Sequence, residues 1–227
     1  MNIKSHSLPA KAKVAILVFS LAAITVAALS VISQQQWSLG RSALFLVLAV
    51  ATARNKVELG GTSSVSLLTS AVLLAVMLDG PGAAVLVAIC GALAQTIKPY
   101  GKLVIHQALF NCSMITFTVA GTSVVYHFIA RRQDFSAALL AILVASMIYF
   151  LGNSAFVATI VGLSENISII RVWRDHFANT APSFLIAGML SLTMYQVLSN
   201  PVMLLLLAAM IYPVYYSSIR LASRQLA

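Results

Sequence analysis

Residues 55–82, NKVELGGTSSVSLLTSAVLLAVMLDGPG, set a polar lead-in directly against a clean apolar run. Gly60 and Gly61 precede Thr62, Ser63, Ser64, Ser66, Thr69 and Ser70, and the run stops at Asp79-Gly80-Pro81-Gly82. Aspartate, glycine and proline in succession signal a tight turn, which predicts a helical hairpin with arms 62–79 and 82–97. If the first arm begins at Thr62, then Ser63, Ser66 and Ser70 fall at i, i+3 and i+7 and form a small-residue polar stripe. Three roles are open for that stripe. It lets helix backbones approach closely in lipid, it caps a helix start, or it receives a ligand group.

The rest of the chain shows what surrounds the hairpin. Of its 227 residues, 60% are hydrophobic and 8% charged, against about 25% charged in an ordinary soluble domain. Such a composition belongs to an integral membrane protein. Eight apolar runs are legible, at 14–33, 39–53, 62–79, 82–97, 103–129, 136–162, 182–198 and 201–218. A membrane span needs about 20 apolar residues, and the second and fourth runs fall below that length. The expected fold is therefore an all-α polytopic bundle of six to eight transmembrane helices, with the 62–97 hairpin open to a re-entrant reading. The first run is too long for a signal-peptide core of 7–15 residues and is followed by Gln34-Gln35-Gln36 rather than a small-residue cleavage site, so it reads as a retained span.

The net charge of +9 comes from Lys and Arg at the edges of the runs, where they act as topology signals rather than as a nucleic-acid surface. With alternate crossings, one side carries Lys4, Lys11, Lys13, Arg54, Lys56, Lys98, Lys102, Arg171, Arg174, Arg220 and Arg224, and the other Arg41, Arg131 and Arg132. Eleven against three places both termini in the cytoplasm. The expected organisation is a cytoplasmic tail over 1–13, a membrane bundle over 14–219 and a second tail over 220–227. Within it, Ile169, Ile170, Trp173 and Phe177 recur at helical spacing, which suggests a short interfacial helix near 165–178 or a loop with one anchoring Trp.

Catalytic and metal signatures are missing from the sequence. His6, His106, His127 and His176 are dispersed, without paired cysteines or an H-E-x-x-H pattern. Glu58, Asp79, Asp134, Glu165 and Asp175 sit at run ends or in loops, and Cys90 and Cys112 read as packing thiols. No catalytic, cofactor-binding or metal residue is expected, and no cofactor. Inside the runs, Asn111 and Asn153 are expected at matching depth on neighbouring helices, with His106 and Gln107 one turn nearer the surface. A buried amide needs a partner, so this pair is either interhelical glue or part of a ligand site. Together with Ser63, Ser66 and Ser70, these four are the candidate ligand or packing residues.

Several segments resemble a known family. They are ELGGTSSVSLLTSAVLLAVMLDGPGAAVLVAICGAL, LVIHQALFNCSMITFTVAGTSVVYHFI, YFLGNSAFVATIVGL and VWRDHF. Together they are similar to the N-terminal multi-pass sensor (MASE-type) region of bacterial HD-GYP and GGDEF signalling proteins. The shared features are Gly60-Gly61, Gly80-Pro81, Phe110-Asn111, Asn153 and Trp173-Arg174. The resemblance implies a non-enzymatic sensory input module of the bacterial inner membrane that passes a ligand or membrane signal to a cytoplasmic effector, here without the output domain. The partners it implies are the lipid bilayer, a cyclic-dinucleotide signalling domain and a second copy of the chain. The competing reading is a small-molecule transporter or substrate-binding membrane subunit.

Overall fold

The computed structural model describes residues 9–34, 37–53, 56–58, 64–97, 104–132 and 134–199. Eight α-helices occur among them: α1 (Ala10–Ile32), α2 (Leu39–Thr52), α3 (Leu67–Asp79), α4 (Pro81–Ile97), α5 (Ile105–Ile129), α6 (Phe135–Glu165), α7 (Ile169–His176) and α8 (Ala181–Ser199). The predicted span 201–218, the C-terminal tail and most of the N-terminal tail lie outside the described residues. The run-by-run expectation otherwise matches closely, because charge and turn residues fall only where helices end.

Four segments are long and apolar enough to cross a membrane: Lys11–Ile32, Ile105–Arg132, Phe135–Glu165 and Ile169–Ser199. Their outward faces carry bare aliphatic side chains such as Leu21, Ile24, Val124 and Leu140, as a lipid-facing surface requires. The short helix α3 lies inside. Leu68 through Met77 of α3 are all buried, and a helix that is apolar all round is stable only when neighbours enclose it. Helices α8, α4, α2 and α5 enclose it here.

The α3–α4 hairpin turns at Gly80, whose φ of 89° favours glycine. Gly80 N–H donates to the Ala75 carbonyl and closes α3, while Pro81 opens α4, where its missing N–H costs nothing. The Gln34 side chain accepts from Ala83 N–H at 2.8 Å and caps α4 from the end of α1. The hairpin tip therefore sits level with the α1–α2 connection. It does not turn back at mid-bundle, although α3 is only about 20 Å long. A three-residue strand supplies the rest of that arm. β2 (Ser64–Ser66) pairs antiparallel with β1 (Lys56–Glu58), with Val57 opposite Val65.

This strand corrects the helix start expected at Thr62. Ser66 lies on a strand and Ser70 on a helix, so the predicted i, i+3, i+7 stripe does not form; Ser63 lies outside the described residues. The cause is pairing with the 56–58 segment, a contact from outside the run that overrides local propensity.

Helix-to-helix contact depends on small residues, since apolar burial alone gives little drive inside a bilayer. Gly188 of α8 lies against Ser146 of α6, where a methyl group would overlap the hydroxyl. Ser191 Oγ donates to the Ser70 carbonyl at 2.9 Å, joining α8 to α3, and Ser113 Oγ donates to Ser20 Oγ at 3.1 Å, joining α5 to α1.

Candidate functional site

Successive helices of the bundle alternate in direction, so the 33–38 connection, the Gly80 turn and the 130–134 connection share one end. The β1–β2 pair, the α4–α5 connection and α7 share the other. Two cavities open at the first end. The smaller, about 340 Å³, is lined by Trp37, Ser38, Arg41, Met77, Leu78, Asp79, Gly80 and His127. Beyond it lies a cavity of about 640 Å³, with Tyr126, Asp134, Tyr195 and Gln196 among its walls. His127 and Met77 line both.

Each polar wall is fixed by the end of a helix. Asp79 is the last residue of α3, its side chain 1% exposed, and it accepts from Arg41 Nε in the first turn of α2. A carboxylate this deep must be paired or protonated, and Arg41 supplies the charge. Its second oxygen, Oδ2, has no partner among the described residues. His127, two residues before the end of α5, stands against the end of α3 beside Met77. Asp134 caps α6 by accepting from Ala137 N–H at 2.6 Å and from Ser136 Oγ at 2.8 Å. The Ala137 N–H, reinforced by the Ser136 hydroxyl, holds its carboxyl below the ordinary carboxylate range. On the α8 side stand Tyr195 and Gln196, and Ser199 closes the rim. Together these walls offer both donors and acceptors, which suits a small polar molecule.

Among the described residues, none of the candidate ligand or packing residues Ser70, His106, Gln107, Asn111 and Asn153 lines either cavity. Ser70 is buried and its carbonyl is taken by Ser191. His106 and Gln107 are exposed at the other end. Asn111 donates to Thr96 Oγ1 of α4 at 3.0 Å, which is the interhelical bond an amide in hydrocarbon needs.

The expected match in depth between Asn111 and Asn153 does not hold. Gly152 faces Thr118 and Phe117 stacks on Phe156, contacts that put Asn153 level with the 117–120 stretch of α5 rather than with Asn111. The two amides are thus separated by about two helical turns along the bundle, on the order of 10 Å. The physical reason is that α5 begins at Ile105, inside its predicted run, whereas α6 runs on to Glu165, beyond the end of its own. The acids and the histidine of the cavities were visible in the sequence only as run-end residues, with no spacing to connect them.

The family comparison bears on what such a bundle does. The model of the MASE9 family, a family of membrane-associated sensor domains, matches residues 11–223. The chain belongs to the MASE9 family. It is therefore a transmembrane sensor region with a role in signal transduction. The MASE9 match covers every helix described above, so the cavities lie within the sensor region itself. No curated protein matches the sequence.

Proposed function

We propose that the chain is a sensory input module of a bacterial inner membrane, with both termini cytoplasmic, and that it takes a small polar ligand into the cavities at the non-cytoplasmic end. The observation that carries this is the lining of the larger cavity by Tyr195, Gln196 and Ser199 on the last turns of α8. The same helix leads directly into the predicted final span, 201–218, and so toward a cytoplasmic effector. A ligand that binds one packing of α8 against α5 better than another shifts the balance between them, by no more than its difference in affinity. The lysine and arginine bias supports the sidedness. A cyclic-dinucleotide enzyme is the effector that this reading implies.

Thermal-shift screening of purified chain against small polar solutes tests the reading. Stabilising solutes should lose their effect in Gln196→Leu and keep it in Asn111→Leu. Solutes that behave the other way would move the input to the opposite end. Steady flux of a stabilising solute through proteoliposomes would favour transport instead.

A further inference from the structure

The opposite end of the bundle carries α7, an eight-residue helix that packs on α6 by one face only. That face is tightly keyed. Val172 is buried, Ile169 lies against Gly162, and Trp173 Nε1 donates at 2.8 Å to Ser154 Oγ. The Trp173 ring also sits 6.0 Å from Phe150, which in turn lies 5.4 Å from Phe184 of α8. Upstream, Asn166 adopts a left-handed conformation and Ile167 N–H donates to the Gly162 carbonyl. This Schellman-type stop turns the chain sharply off α6.

The outward face combines two kinds of side chain. Ile170, Arg171 and Arg174 follow i, i+1 and i+4 along the outward face of α7, and Ile167, just before the helix, is exposed as well. Ile170 is 77% exposed, the Arg174 side chain 71% exposed, and Arg171 is also exposed. A bare isoleucine beside two arginines is poorly suited to water, yet it suits a bilayer interface, where the apolar tip enters the acyl boundary and the guanidinium reaches up to phosphate. Asp175 competes only through an exposed contact with Arg174 at 3.1 Å, and such pairs are weak. The helix lies at the end where the lysine and arginine bias places the cytoplasmic leaflet.

We infer that α7 is a docking site for anionic phospholipid, with Arg171 and Arg174 binding the headgroup phosphate and Ile167 and Ile170 entering the same leaflet. Because Trp173 is seated on α6 beside the residues that meet α8, lipid bound here acts on the α6–α8 contact. The site is independent of the cavities at the other end and does not need them to bind any solute.

The test uses the full chain extracted from nanodiscs of phosphatidylcholine with or without phosphatidylglycerol, with retained lipid counted by native mass spectrometry. Phosphatidylglycerol should be retained in preference to phosphatidylcholine. The Arg171→Gln/Arg174→Gln variant should lower that preference by roughly tenfold, while Arg171→Lys/Arg174→Lys keeps most of it. Trp173 emission in a Trp37→Phe background, where it is the remaining one of the two tryptophans, should match in all variants, showing α7 still docked. Equal retention of the two lipids by the unaltered chain, or undiminished phosphatidylglycerol on the double Gln variant, overturns the inference. Displacement of the lipid by millimolar glycerol phosphate also overturns it, because the site would then read a soluble anion.

Discussion

Arg41 and Asp79 show how a single pair fixes the hairpin tip. Asp79 is almost wholly buried while Arg41 remains partly solvated, so losing the arginine strands a charge in a poorly hydrated place. Arg41→Leu should cost ~1–3 kcal/mol, less than the full penalty for breaking a fully buried pair because the arginine side is solvent-screened. The Arg41→Leu/Asp79→Leu double variant should recover much of that loss in thermal denaturation. Asp134 behaves differently, since it is an exposed cap. Its carboxyl titrates below its unfolded value, so its contribution is present above the ordinary carboxylate range and is lost as pH falls through the lowered value. Asp134→Asn should keep the cap and flatten this acid-side loss, whereas Asp134→Ala should lower the melting temperature at neutral pH. These roles were only half legible. The turn at Asp79-Gly80-Pro81 could be read directly, but a carboxylate at a run end looks the same whether it caps, pairs or floats in solvent.

At the level of elements, helices were legible because each apolar run ends in charge or turn residues, and α1 through α6 and α8 each coincide with one run. The β1–β2 pair was not. Ser64 and Ser66 have no strong local preference, and their strand exists only because the preceding segment folds back to meet them. The interhelical register was also hidden, since an error of a few residues in helix ends was enough to bring Asn111 and Asn153 falsely level. Close approach of α6 and α8 depends on Gly188 meeting Ser146. Gly188→Ala should destabilise the protein by ~1–3 kcal/mol through overpacking. Adding Ser146→Ala removes the overlapping hydroxyl, and the two changes should be non-additive, with the double variant more stable than Gly188→Ala alone.

At the scale of the whole molecule, the described residues form a central helix, α3, enclosed by α2, α4, α5 and α8, with distinct features at the two ends of the bundle. Composition alone established the membrane class, and the local patterns pointed to a sensor region of the kind that the family match shows. The cavities could not be read in the same way. They collect the ends of α2, α3, α5, α6 and α8, so their lining exists only once those helices are packed. Their position puts the last turns of α8 in the wall of the larger cavity, which in the proposed reading makes α8 the element that meets the ligand and leads into the predicted span 201–218. The most direct check is accessibility of Gln196→Cys in a Cys90→Ser/Cys112→Ser background, using a membrane-impermeant thiol reagent on intact cells and on inverted vesicles. The account expects labelling from the non-cytoplasmic side, slowed by any solute that stabilises the protein; labelling from the cytoplasmic side alone, or at a rate indifferent to such a solute, would contradict it.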